Sequence, residues 1–194
     1  MTDYDAFLLL SFGGPEGPDD VMPFLENVTR GRSIPRERLL TVAGHYQQFG
    51  GKSPINDQCR ELLAAVGAEL QEHQEHGADG PPLPLYWGNR NWGPFLVDTL
   101  REMKAAGVKK ALGFVTSAYG SYSGCRQYQE DVKKARAEVG EGAPEVHLLR
   151  KFYDHPGFIE ANAARVMAAY GELPEGLRDH ARLVFTAHSV PMSM

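Results

Sequence analysis

A histidine follows the last apolar run of the chain. Residues 183–187 are LVFTA, and His188 and Ser189 come directly after them. An imidazole just past a buried strand can bind a metal ion or accept a proton near neutral pH. A histidine in such a place is about as often a structural residue whose ring nitrogens are satisfied by hydrogen bonds. His188 is therefore a candidate catalytic base or metal ligand, and a structural role is the alternative.

Two glycine-containing segments have the composition of ligand-binding turns. Residues 11–15 are SFGGP, where glycines allow a backbone to approach a ligand closely, although a tight turn explains them equally well. Residues 46–54 are YQQFGGKSP, which predicts a helix end at the glycines, followed by Lys52 and Ser53 as donors to an anion. SFGGP lacks the spacing of a GxGxxG or Walker loop, which disfavours a nucleotide-binding function.

A third segment combines aromatic and hydroxyl side chains. Residues 119–128 are YGSYSGCRQY and follow an apolar run that predicts a strand. Aromatic faces that alternate with hydroxyl groups suit a flat, apolar ligand with polar edges. The alternative is a surface loop held by its own hydrogen bonds.

These segments follow short apolar runs that alternate with amphipathic stretches of helical length. The apolar runs cover 7–12, 83–88, 111–117, 146–149 and 183–187, and the helical stretches cover 19–27, 36–49, 56–75, 94–106, 128–139 and 156–170. Repeated strand–helix–strand units predict an α/β fold with an open parallel sheet and helices on both faces. Pro94 and Pro156 are predicted to open their helices, and Gly107 and Gly171 to close the same two. Because ligands bind at the carboxyl ends of such strands, the segments above are the expected site.

Composition and charge exclude several classes of protein. The chain has 194 residues, of which 42% are hydrophobic, and 20 Lys and Arg stand against 25 Asp and Glu. A net charge of -5 argues against a nucleic-acid partner, which needs clustered basic residues. The longest apolar run, residues 6–10, is far shorter than the roughly 20 residues that cross a bilayer. Asp3 and Asp5 stand where a secretory signal is positive, so we expect a cytoplasmic protein.

The chain resembles the ferrochelatases, which insert Fe²⁺ into a porphyrin in haem biosynthesis. The resemblance rests on SFGGP at 11–15, GGKSP at 50–54, SYSGC at 121–125 and FTAHSVP at 185–191, and it covers essentially the whole sequence. The SYSGC loop is most similar to that of actinobacterial members, which metallate coproporphyrin III and not protoporphyrin IX. The resemblance thus implies a lyase that acts on coproporphyrin III. The alternatives are a protoporphyrin IX ferrochelatase, a cobalt chelatase, a non-catalytic tetrapyrrole-binding protein and a flavin-binding module.

The resemblance also implies two flavodoxin-like domains with the porphyrin in the cleft between them. We assign residues 1–118 to the first α/β domain and residues 119–194 to the start of a second domain, which is incomplete in this chain. Family members are longer and supply from the further part a glutamate that faces the catalytic histidine. If the polypeptide ended at Met194, we would expect no chelatase activity.

The resemblance assigns roles to individual residues. It implies that His188 accepts a pyrrole proton or coordinates the entering Fe²⁺. It implies substrate-binding roles for Phe12, Arg30, Arg32, Tyr46, Ser53 and Tyr128. The guanidinium groups of Arg30 and Arg32 would pair with propionate carboxylates, with solvated surface arginines as the alternative.

The sequence departs from some relatives at two positions. Phe12 stands where some members of the coproporphyrin branch have a tyrosine that ligates the product iron, and Asn91 stands where some relatives have a histidine. A phenylalanine cannot ligate iron, so the face opposite His188 is predicted to be packed by an apolar ring.

Cofactor and partner expectations follow from the same resemblance. Fe²⁺ is the expected substrate metal, and Cys125 is a possible ligand of a 2Fe–2S cluster whose other ligands are absent from this chain, with an inert thiol as the alternative. We expect a monomer that binds a porphyrin and contacts neighbouring haem-pathway enzymes transiently. Any contact with a membrane is expected to be peripheral. Only two cysteines are present, Cys59 and Cys125, which fits a reducing compartment.

Overall fold

A computed structural model of the chain describes residues 4–76 and 82–186. The described strands are β1 (Ala6–Ser11), β2 (Leu85–Asn89), β3 (Lys110–Val115) and β4 (Glu145–Leu148). The described helices are α1 (Val21–Val28), α2 (Arg36–Gln48), α3 (Ile55–Glu75), α4 (Leu96–Ala105), α5 (Gln127–Val139), α6 (Pro156–Glu172) and α7 (Glu175–Arg178). A 3-10 turn at Pro18–Asp20 precedes α1, and a π-helical turn at Tyr122–Arg126 leads into α5.

The four strands form one parallel sheet in the order β2-β1-β3-β4. In the central strand β1, Leu8 lies opposite Tyr86 of β2 and Gly113 of β3. The predicted α/β fold with a parallel sheet is therefore confirmed. Since all strands run the same way, their carboxyl ends meet at one edge.

Alternate residues of β1 face the two layers of helices that cover the sheet. Leu8 and Leu10 belong to a core cluster with residues of α4 and α5. Phe7 and Leu9 point to the other face, where they pack with α3. Side chains of a strand alternate between faces, and both faces of β1 are apolar, which explains its uninterrupted apolar run.

The sheet continues beyond residue 118, the predicted end of the first domain. β4 pairs with β3 from Glu145 opposite Lys110 to Leu148 opposite Gly113. The helix between them, α5, joins the same core cluster as α4. The edge of the described sheet therefore does not coincide with the predicted boundary.

Two of the four predicted helix-end residues lie where they were expected. Pro156 occupies the first turn of α6, and Gly107 has a φ of +81° just after α4. The Val108 N–H donates to the Met103 carbonyl at 3.0 Å, which closes α4 in the six-residue pattern that favours glycine. The other two predictions are wrong: α4 begins two residues after Pro94, and α6 continues past Gly171.

The predicted strand at 183–187 is not formed by the described residues 183–186. Leu183, Val184 and Phe185 are mostly exposed, the last of them by 85%. A strand needs a neighbour that pairs with its backbone, and an apolar run alone does not supply one. Ala187 lies outside the described residues.

Among the helices of the described residues, none combines the length and apolarity needed to cross a membrane.

Candidate functional site

A cavity of about 380 Å³ opens at the carboxyl edge of the sheet, between the ends of β1 and β3. This is the point at which the strand order reverses, and open α/β sheets bind ligands there. The residues that line it, called the switch-point pocket below, are Phe12, Val28, Arg32, Arg90, Asn91, Thr116, Ser117, Ser121, Gly124, Gln127 and Tyr128.

Three of the predicted substrate-binding residues meet in the switch-point pocket. Phe12 follows β1, is 38% exposed, and packs edge-on against Phe24 with 6.3 Å between ring centres. Tyr128, in the first turn of α5, is only 5% exposed. Arg32 is exposed and lies at the lining of the pocket. The pocket thus combines an apolar ring, a phenol and a guanidinium group.

Arg90 is a pocket residue that the sequence analysis missed. Its guanidinium group lies 3.9 Å from the centre of the Tyr128 ring and forms an ion pair with Asp131. It also donates to the Gln127 side chain at 3.1 Å. Cation–π contact and ion pair together fix the ring of Tyr128 in one orientation. The signal was available, because Arg90 directly follows β2 and so belongs to the same edge of the sheet.

Burial raises the pKa of Tyr128 to about 12, although the Arg90 charge opposes this shift. The phenol is therefore protonated at neutral pH and can donate a hydrogen bond. Beside a guanidinium group, this donor favours a ligand with carboxylates or other acceptors at its edge.

Asn91 holds the backbone at Phe12. Its main-chain N–H and its side-chain amide both donate to the Phe12 carbonyl, at 3.0 and 3.2 Å. The Asn91 carbonyl in turn accepts a hydrogen bond from Asn27 at 2.7 Å. The position where some relatives have a histidine therefore carries a side chain that ties β1 to the loop after β2.

Tyr46 and Ser53 lie in a different cavity. This second cavity, of about 240 Å³, is lined by His45, Tyr46, Phe49, Lys52, Ser53 and Pro54. Lys52, predicted to bind an anion, pairs with Asp57 at 2.5 Å. Burial raises the pKa of Tyr46, whose ring packs edge-on against Phe24 at 6.0 Å. Phe24 thus lies between Tyr46 and Phe12, while Arg30 is exposed and lines neither cavity.

The glycines of SFGGP and GGKSP let two loops pack against each other. The Ser53 N–H donates to the Pro15 carbonyl at 2.8 Å. A Cβ at Gly14 would lie 2.6 Å from the Cβ of Ser53, and one at Gly51, whose φ is +72°, would lie 2.5 Å from Pro18. Close loop packing therefore explains these two glycines without a ligand.

Two buried amides connect the same loops to the sheet. Asn56, at the start of α3, donates to the Gly14 carbonyl at 3.1 Å and to Glu16 at 2.8 Å. Asn89, the last residue of β2, donates to Asn56 at 3.3 Å. Both side chains are fully buried, and their hydrogen bonds fix the loop after β1 behind the pocket. The sequence analysis did not single out either residue.

The predicted metal ligand His188 lies outside the described residues. Cys125 belongs to the π-helical turn, and Cys59 is a core residue of α3 that packs with Phe7 and Leu9. Burial raises the pKa of the Cys59 thiol, which disfavours the thiolate that a metal binds. Among the described residues, no three ligating side chains come together. A 2Fe–2S cluster, which needs four thiolates, does not fit the described part of the chain.

Comparison with known proteins identifies the family. A family model described as Ferrochelatase matches residues 4–194. The chain belongs to the ferrochelatase family. The resemblance that SFGGP, GGKSP, SYSGC and FTAHSVP suggested is thereby confirmed.

Individual relatives are more than half identical to the chain. A ferrochelatase of Rhodopirellula baltica is 55% identical over 100% of this chain and 53% of its own length. Coproporphyrin III ferrochelatases of Mycolicibacterium smegmatis and Nocardia farcinica are 57% and 58% identical over 97% of the chain, and it covers 54% and 52% of their lengths. The chain spans about half the length of the curated relatives it matches.

Proposed function

We propose that the whole protein inserts Fe²⁺ into coproporphyrin III in haem biosynthesis. The observation that carries the proposal is the switch-point pocket, where Arg32, Arg90 and the Tyr128 phenol lie beside the apolar ring of Phe12. A flat macrocycle with carboxylates at its edge matches this set of groups. The identity of 57–58% to relatives named coproporphyrin III ferrochelatases supports the choice of porphyrin.

Metallation exchanges two pyrrole N–H protons for one Fe²⁺. A flat macrocycle holds its nitrogen lone pairs in the ring plane, so a site that bends the ring exposes them to the ion. We assign to Arg32 the binding of propionates, to Arg90 the orientation of the Tyr128 phenol on which it stacks, and to Phe12 packing against the macrocycle. His188 is proposed to accept a pyrrole proton or to bind the entering Fe²⁺. Ser53, Tyr46 and Arg30 stay proposed contacts to more distant parts of the substrate.

We further propose that a second α/β unit begins after β4, near residue 149, and not at residue 119. The pairing of β4 with β3 supports this later boundary. Helix α6 buries none of its residues within the described part of the chain, which fits a helix that packs on a further part of the whole protein. A role for Cys125 in a 2Fe–2S cluster stays a prediction for the whole protein, as do a monomeric state and transient contacts with haem-pathway enzymes.

The decisive test measures Fe²⁺ insertion by the whole protein with coproporphyrin III and with protoporphyrin IX. We expect the higher kcat/KM with coproporphyrin III, because it has four propionates against two. His188→Ala is expected to lower kcat by roughly 10²–10⁴, the range for removal of a general base. His73→Ala, which removes an exposed histidine from α3 in the unit up to β4, is the matched control and should retain full activity.

The outcomes separate the alternatives. Faster turnover of protoporphyrin IX would exclude the proposed substrate. A wild-type protein that binds porphyrin and releases no metallated product would support the tetrapyrrole-binding alternative. The 194-residue chain, assayed alone, is expected to show no turnover.

A further inference from the structure

One lysine ties the segment after β4 to the wall of the switch-point pocket. The pairing of β4 extends to Leu149, whose N–H donates to the Gly113 carbonyl at 2.8 Å. Two residues later, the Lys151 ammonium donates to the main-chain carbonyl of Ser117 at 2.9 Å and to that of Gly124. A single side chain thus joins three separate segments of the chain.

Both acceptors belong to the pocket. Ser117 follows the end of β3, and Gly124 lies in the π-helical turn that leads to Tyr128. An ammonium group has three N–H donors, so it can hold two main-chain segments at once. Hydrogen bonds from a charged donor are roughly twice as strong as neutral ones. Lys151 is half-buried, which protects these bonds from competition by water.

The π-helical turn packs tightly against the segment that follows β3, and Lys151 donates hydrogen bonds to both. The Gly124 N–H donates to the Ser121 hydroxyl at 2.8 Å. A Cβ at Gly124 would lie 2.7 Å from the Ser117 hydroxyl and 3.0 Å from the Ser121 hydroxyl. The two halves of this wall are therefore in direct contact, and a shift of either half moves the other.

We propose that Lys151 is a positioning residue for ligand binding in the switch-point pocket. Its ammonium fixes residues 117–128 and so determines where Ser121 and Tyr128 meet the ligand. The role makes the segment after β4 part of the pocket's support, although Lys151 itself does not line the pocket. The inference rests on the proposed function, in which the ligand is a porphyrin.

The test compares three variants of the whole protein. Lys151→Met removes the donors and keeps the aliphatic part of the side chain, whereas Lys151→Arg keeps donors and charge. Lys133→Met removes the same charge from an exposed position on α5 and serves as the control. Amide hydrogen exchange of residues 117–128 and quenching of coproporphyrin III fluorescence are measured for each.

Lys151→Met is expected to speed amide exchange in residues 117–128 by roughly tenfold. It is also expected to weaken coproporphyrin III binding by roughly tenfold, because small displacements of positioning groups have effects of that size or more. Lys151→Arg is expected to retain most of the protection, and Lys133→Met to match the wild type within about twofold. Wild-type exchange and affinity in Lys151→Met would overturn the proposal, and so would an equal loss of protection in β1. If the wild type does not bind coproporphyrin III, the proposed function fails, while the exchange of residues 117–128 still decides the role of Lys151.

Discussion

Helices α4 and α6 differ in packing although both carry apolar residues. α4 has ten residues and buries Leu96, Thr99, Leu100 and Met103. α6 has seventeen residues and buries none within the described part of the chain. Met103 is fully buried, whereas Met167 of α6 is 65% exposed. Helix composition therefore does not decide burial; the neighbouring sheet and helices do.

The difference extends to the regions around these helices. The residues up to β4 form a three-layer unit with loops fixed by the buried amides of Asn56 and Asn89. The described residues after β4 touch this unit through Leu149, through Lys151 and through aromatic rings. The ring of Phe152 stacks on Phe114 at 5.0 Å, and the rings of Tyr153 and Phe158 contact Tyr119. The pocket thus lies on a rigid support, to which the segment after β4 is attached at a few points.

The largest expected effect is that of truncating Met103, which tests whether α4 is buried as described and so differs from α6. Met103→Ala is expected to lower the free energy of unfolding by about 2–5 kcal/mol, because it removes a fully buried side chain and leaves a cavity. Urea denaturation of the 194-residue chain measures it. A loss below about 1 kcal/mol would show that the α4 layer is not packed as described.

The ion pair at the pocket is the next largest expected effect. Arg90→Gln leaves the carboxylate of Asp131, 27% exposed, without its partner, and is expected to lower the free energy of unfolding by about 1–3 kcal/mol. It should also weaken coproporphyrin III binding, because Tyr128 loses the group stacked on its ring. Arg101→Gln is the matched control: its ion pairs with Asp98 and Glu138 are half-exposed, so their loss should cost less than about 1 kcal/mol. Equal effects of the two substitutions would contradict the difference in burial.

A pH series tests how Asp5 stabilises the unit up to β4 at the opposite edge of the sheet, where the strands begin. Hydrogen bonds from the N–H groups of Lys109 and Lys110 hold the pKa of the Asp5 carboxyl below its ordinary value of 3.8. A lowered folded-state pKa stabilises the fold above the unfolded-state pKa, and this contribution is lost as the pH falls through the folded-state pKa. The Tm difference between the wild type and Asp5→Asn should be full at pH 7 and shrink below about pH 4. A difference that stays constant from pH 7 to pH 2 would mean that the carboxylate is not held by these N–H groups.

The smallest expected effect is that of Met167→Ala. In the 194-residue chain, the substitution should change the free energy of unfolding by less than about 0.5 kcal/mol, because the side chain is exposed. In the whole protein, the proposed second unit would cover α6 and make the same substitution clearly destabilising. Urea denaturation of both forms gives the comparison, and equal small effects would count against a cover over α6.

Several parts of the fold were predictable from local pattern. The apolar runs at β1 to β4 and the amphipathic stretches at α2, α3 and α5 lie within a few residues of their observed positions. Periodicity reports which face of an element is apolar, and this face must be covered whatever the topology. The same rule predicted a strand at 183–187, where residues 183–186 form none, because periodicity does not report whether a pairing partner is present.

The candidate site was predictable in part. The rule that ligands bind at the carboxyl ends of strands selected Phe12 and the loop with Tyr128, and the structure brings both into one pocket with Arg32. The resemblance to the ferrochelatases assigned substrate binding to Tyr46 and Ser53, but these two residues lie in another cavity. Arg90 was overlooked although it directly follows β2. Spacing along the chain does not reveal which loops meet, because the order of the strands in the sheet determines that.

The amino-acid sequence alone determined the α/β class and the family, because alternating apolar runs and the segments SFGGP and FTAHSVP are local properties. Only the tertiary structure decided that the glycines of two loops allow these loops to pack closely, that Arg90 stacks on Tyr128, and that Lys151 supports the pocket wall. These contacts join residues 27 to 39 positions apart, and their existence depends on the order of the strands. A hydrogen bond or a stacked ring is a property of distance in space, which the order of residues constrains but does not state.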